Sequence, residues 1–214
     1  MKNLLRVSLL LLTVLALQNT NAQGVEITAS YGYQFGSKLN YGSNYLKIDD
    51  SDQFGVVLGY EVRPGIMAEL SYIHHGTELR IRDRIVAPGE VRLSDLSADW
   101  FQIGASKYFK TDKVKPFVGG GMGLLFLAPK NENRAIISGS LDNRTKFAFS
   151  FKGGVNIMLS EKVGINLQGN LLFPVEWGGV YIGAGTGGVS SGAALSSTTI
   201  IAGFSGGLVF KLGT

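Results

Sequence analysis

The chain has 214 residues, of which 30 are glycine, 12 phenylalanine, five proline and none cysteine, with 20 Lys or Arg against 16 Asp or Glu. The lack of cysteine excludes a disulfide framework and thiolate chemistry, and a net charge of +4, dispersed along the chain, is too weak to argue for a nucleic-acid partner. Abundant glycine and phenylalanine with little proline suit strands crowded against neighbours, not a disordered chain.

The first 22 residues read as an export signal: Lys2 and Arg6, the apolar stretch Val7 to Leu17, then a polar end at Thr20-Asn21-Ala22. That apolar run falls well short of the roughly 20 residues a spanning helix needs. Cleavage after Ala22 is expected, leaving residues 23–214 as one exported domain, with bases reduced from 20 to 18 against 16 acids. No later segment offers 18 uninterrupted apolar residues, so no spanning helix is expected there.

From Val25 onward the chain alternates with a period of two, the mark of extended strands whose side chains point to opposite faces. The first strand, Val25 to Phe35, sets Ile27, Ala29, Tyr31 and Tyr33 against Glu26, Thr28, Ser30 and Gln34. The second, Gln53 to Val62, sets Phe54, Val56, Leu58 and Tyr60 against Gln53, Gly55, Gly59 and Glu61. The third starts near Ile66, with Ala68, Leu70 and Tyr72 opposite Glu69 and Ser71. The fourth, Trp100 to Lys110, opposes Phe101, Ile103 and Phe109 to Gln102, Gly104 and Ser106; Lys107 breaks its apolar parity and is expected to snorkel to a membrane edge. The fifth, Phe117 to Ala128, opposes Val118, Met122, Leu124 and Phe126 to Gly119, Gly121 and Gly123. The sixth, Thr145 to Leu159, opposes Phe147, Phe149, Phe151 and Val155 to Ser150, Lys152, Gly154 and Asn156. The seventh, Val163 to Trp177, alternates almost without fault: Ile165, Leu167, Leu171 and Phe173 against Asn166, Gln168 and Asn170. The eighth, Thr198 to Leu212, opposes Ile200, Phe204, Leu208 and Phe210 to Gly203, Ser205, Gly207 and Lys211.

Periodicity alone does not say which face is inside. The connections do. "RPG", "TDKVK" and "SEK" are turn-length, whereas the links between them are long and polar, so short and long alternate around eight strands. That is the pattern of a barrel with one end in the periplasm and the other outside. The strands, at about 10 to 15 residues, match tilted membrane strands better than soluble ones. The apolar parity therefore faces lipid, and the small and amide side chains fill a narrow lumen. Closure also removes edge strands that hydrocarbon could not satisfy.

With the leader, eight amphipathic strands, the glycine-alternating "KPFVGGGMGLLF" and the closing "AGFSGGLVFKLG", the whole exported chain resembles the small outer-membrane barrel family of OmpA-like and OmpX-like proteins, also called porin family proteins. The resemblance implies an all-β, eight-stranded, antiparallel up-and-down transmembrane barrel with short periplasmic turns and long extracellular loops, located in a Gram-negative outer membrane. It implies outer-membrane lipid and lipopolysaccharide as surroundings and the barrel-assembly machinery as a partner in biogenesis. The family often ends in an aromatic read by that machinery; here Phe210 takes that place, set back from the end by Lys-Leu-Gly-Thr.

A few small barrels of this type modify lipid A, which sets a catalytic reading beside the structural one. His74 and His75 are the only histidines, and adjacent strand residues point to opposite faces. Ser71 has lumen parity and His74 lipid parity, so a serine–histidine pair with Glu78 fails, and no catalytic residue is assigned. Two histidines without clustered acids make no metal site, and no cofactor is expected. The glycine run Gly183 to Gly188 matches a dinucleotide pattern but has no helix after it.

Arg80, Arg82 and Arg84 gather at the outer end of the third strand and could contact outer-leaflet phosphates. Interleaved Glu78, Asp83 and Glu90 favour a solvated loop instead. Inside, Glu26 and Lys211 share lumen parity near the periplasmic end of the first and last strands, which predicts an ion pair at the closing seam. Lys152 sits mid-strand on lumen parity and needs an acid, for which Glu61 and Glu69 are the candidates, with Gln102, Gln168 and Asn170 completing a polar plug. Eight strands leave an interior that side chains just fill. A structural or surface-interaction role, with an extracellular partner reached through the loops, is therefore expected ahead of a narrow pore for ions or small solutes.

Overall fold

The computed structural model describes residues 24–85, 87–109, 113–137, 140–175 and 200–212. The leader, the glycine run Gly183 to Gly188 and Trp177 lie outside the described residues. Ten strands form: β1 (Val25–Gln34), β2 (Ser37–Tyr41), β3 (Asn44–Ile48), β4 (Ser51–Arg63), β5 (Ile66–Asp83), β6 (Ala87–Tyr108), β7 (Val114–Lys130), β8 (Arg144–Met158), β9 (Val163–Val175) and β10 (Ile201–Leu212). Eight of them, β1-β4-β5-β6-β7-β8-β9-β10, close into an antiparallel ring as β10 returns to β1. No helix long and apolar enough to cross a membrane occurs among the described residues.

The alternation read from the sequence sets the two faces of this ring. Phe151 is 60% exposed on the outside, while the next side chain, Lys152, is 16% exposed within. Tyr31, Leu70, Ile103, Leu167 and Phe204 stand on the outer face; Glu26, Ser30, Gln53, Gln102, Asn166 and Ser205 are buried inside. Hydrocarbon on the outer face costs these apolar side chains nothing, so the exposed apolar belt is the expected surface of a membrane barrel.

Two of the long connections turn out to be structured. The first contains the hairpin β2-β3, which turns at Gly42 with φ 61°, a value that favours glycine. It adds to the outer end of β5, pairing Tyr45 with Arg82 and Ile48 with Leu79. The second is a continuation of β5 and β6 beyond the belt, pairing Glu78 with Asp95 and Ile81 with Val91. The period of two never stops there: Leu79 and Ile81 alternate with Arg80 and Arg82. A ladder already formed in the barrel extends wherever the pattern allows. Register shifts at Leu79/Arg80 and Ile81/Asp83 bend this outer sheet.

Candidate functional site

The middle of the lumen is crossed by one ion pair. Lys152 Nζ on β8 lies 2.7 Å from Glu69 Oε2 on β5, with side-chain exposures of 16% and 7%. The chord between these strands passes two others, β6 and β7, and both carry glycine there. A Cβ on Gly104 would fall 2.3 Å from the Gly120 carbonyl oxygen, so that position admits no side chain and leaves the path open. The ammonium also stands 5.8 Å from the Phe117 ring centroid. What remains empty around the pair is a void of about 30 Å³, lined by Ser30, Gln102, Gly121, Ser150 and Gln168 among others. That is room for about one water.

The other residues expected in this plug are arranged separately. Glu61 Oε1 accepts from the Gly65 backbone N–H at 2.8 Å, in the β4-β5 turn. Asn170 joins Gln53 and Gln34: Gln53 Nε2 donates to Asn170 Oδ1 at 3.3 Å, and Asn170 Nδ2 donates to Gln34 Oε1 at 3.5 Å. Gln168 Nε2 donates to Ser205 Oγ at 3.2 Å. Gln102 is buried, and its Nε2 has no hydrogen-bond partner among the described residues. The reading from sequence missed Gln34 and Gln53 as network members, although both carry lumen parity; which amides meet depends on strand stagger.

Below the crossing, the β1-β10 register pairs Glu26 with Lys211, and Lys211 Nζ lies 2.9 Å from Glu26 Oε1. Asn166 Nδ2 donates to Asn156 Oδ1 at 2.6 Å, and Asn156 Nδ2 donates to the Tyr108 hydroxyl at 3.2 Å, so polar contacts also fill the lower lumen. Lys211→Ala should lower unfolding stability in lipid vesicles by about 1–3 kcal/mol, because Glu26 is left with a lost charge-assisted partner. An unchanged urea midpoint would show that the seam carboxylate is satisfied without it.

At the outer end, Arg80 is surrounded by acids: Asp49 at 2.5 Å, Glu78 at 2.7 Å and Glu90 at 3.5 Å. These contacts staple β3, β5 and β6 together, and they give no support to a phosphate site built on Arg80. Arg82 lies opposite Tyr45, and the Arg84 backbone N–H donates to Asn44 Oδ1 at 3.1 Å. The hydrogen bond from Asn131, with Arg92 beside it, holds the Asp95 carboxyl below its ordinary value. Glu90 is held low by the Tyr45 hydroxyl, then by Lys47 and Arg80. A carboxylate held low stabilises the folded state above its unfolded value and loses that contribution as pH falls through the folded one. The outer sheet should thus hold at neutral pH and loosen below about pH 4. Faster amide exchange in β2 and β3, with the ring still protected, is the expected readout.

The histidines point to opposite faces. His74 lies outside, its Nδ1 2.8 Å from Asp99 Oδ1, which also accepts from the Tyr72 hydroxyl at 2.7 Å. Ser97 shares that face, but its hydroxyl donates to Asp99 at 3.4 Å and not to the imidazole. Tyr31 and Tyr33 likewise donate to Asp52 and Asp50, at 2.5 and 2.7 Å. These tyrosine–carboxylate pairs form an aromatic girdle at the outer rim. No group of three or more potential metal ligands occurs among the described residues.

His75 lies inside, stacked on Trp100 with ring centroids 6.2 Å apart. Around it the lumen is apolar, which the sequence reading did not anticipate. Ala98, Trp100, Leu125, Ala148, Leu172 and Ile201 form a buried cluster on the lumen side of β6 to β10.

The outer membrane protein beta-barrel domain family matches residues 5–171. No curated protein matches the chain. Among solved structures, OprG, an outer membrane protein from Pseudomonas aeruginosa, superposes with a TM-score of 0.59 at 13% identity, covering 92% of this chain and 99% of its own. Neisserial surface protein A superposes with a TM-score of 0.58 at 14% identity, covering 88% and 97%. At such identities the likeness shows the fold.

Proposed function

Because the chain belongs to the outer membrane protein beta-barrel family, we propose that it is exported, cleaved after Ala22 and inserted in the outer membrane as a closed barrel with a structural or surface-interaction role. The observation that carries this reading is the Lys152–Glu69 crossing, 2.7 Å long, with only about 30 Å³ left empty around it. A lumen filled to that degree serves as a rigid support and not as a diffusion path. The sheet built from β2, β3 and the outer ends of β5 and β6 is the surface offered to an external partner. Lipopolysaccharide surrounds the belt, and the assembly machinery reads Phe210. No catalytic step is assigned.

Fractionation should place the protein in the outer membrane, and the unboiled chain should migrate differently from the boiled one on gels. Planar-bilayer recording of the purified barrel should show no steady conductance. Regular conductance steps would replace this reading with that of a narrow pore for ions or small solutes.

A further inference from the structure

Above the Lys152–Glu69 crossing the lumen holds a second cavity, of about 90 Å³, bounded by Gln34, His75, Trp100, Leu125, Pro174 and Ile201. Its deep wall is apolar and fully buried: Trp100 is 0% exposed and Leu125 2%. Two polar atoms interrupt that wall. Trp100 Nε1 and His75 Nδ1 are both buried and have no hydrogen-bond partner among the described residues. A buried donor or acceptor left unmade carries its full desolvation penalty, and Phe or Leu would fill either position without that cost. Neither the ion pair, the seam nor the outer sheet uses these two rings.

We propose that this cavity is a binding site for a small uncharged molecule, smaller than a benzene ring, that carries a hydrogen-bond acceptor. The acceptor takes the indole N–H of Trp100, and the apolar body packs on Leu125, Leu127 and Ile201. The size follows from the volume, since about 90 Å³ falls short of the roughly 150 Å³ of an engineered apolar cavity that admits benzene. Lack of charge follows from the lining: Lys146 and Asp49 contribute opposite signs, and the deep wall has no counter-ion. Geometry sets the direction of access, because the ion pair closes the lumen beneath the cavity and a ligand must enter from the outer end.

The test uses the full barrel in lipid nanodiscs with Trp177→Phe, which leaves Trp100 as the one tryptophan. The probes are fluoroacetone and 1-fluorobutane, which are matched in size and differ in the carbonyl. The ketone should shift the Trp100 indole N–H resonance saturably, and the fluoroalkane should bind about tenfold more weakly, the loss expected for one buried hydrogen bond. Ala98→Leu, which fills the cavity from β6, should abolish the shift while the gel mobility of the folded barrel is kept. If that variant does not fold, Trp100→Phe should remove the saturable fluorine line broadening seen with the ketone and absent from empty nanodiscs. An indole proton that ignores both probes, answers both equally, or exchanges freely with bulk water overturns the proposal. These readouts are independent of conductance, so a barrel that conducts and still binds the ketone refutes the closed-lumen reading alone.

Discussion

Lys152→Ala is expected to destabilise the barrel by about 3–5 kcal/mol, the range found when one partner of a buried ion pair is removed. The cost arises from Glu69, whose side chain is 7% exposed and whose ammonium partner sits at 2.7 Å. Gly104 and Gly121, on the intervening strands, carry no side chain that could replace the ammonium. Urea unfolding in vesicles measures the loss. The double variant Lys152→Met, Glu69→Leu should recover most of it, because replacing both charges by apolar groups removes the stranded carboxylate. If the single variant matches the wild type, water reaches Glu69 and the pair does not plug the lumen. If it plugs, Lys152→Ala should also bring small conductance steps that the double variant lacks.

Leu167→Arg should cost about 2–4 kcal/mol, the penalty for a cation on the lipid face near the bilayer midplane. Leu167 stands mid-strand on β9, between Val155 of β8 and Gly206 of β10, and is 49% exposed. Leu167→Phe should be nearly neutral, since lipid accommodates size. The lumen should respond in the opposite sense. Ala148, 0% exposed, should lose about 1–3 kcal/mol on substitution by Leu, through overpacking. Equal penalties for Leu167→Arg and Leu167→Phe would contradict the assignment of that face to lipid.

Which side chains share a face was determined by the sequence alone, because alternation is a property of each strand by itself, and the lengths of the connections turned the apolar face outward. Phe151 and Lys152, or Leu167 and Gln168, need no partner to be assigned. The number of strands in the ring followed from the alternation and the turn lengths, which are equally local. Which lumen residues meet was decided only by the tertiary structure. Lys152 reaches Glu69 and not Glu61 because the stagger of eight strands sets their relative heights, and stagger belongs to the closed ring. The same holds for Gln34, Gln53 and Asn170, brought together from β1, β4 and β9. The apolar cluster around Trp100 and His75 also needed the structure, since residues such as Leu125 and Leu172 carry lumen parity that a polar-lumen rule passes over. There the side chains of five strands pack against one another, and burial, not polarity, decides which side chain fits.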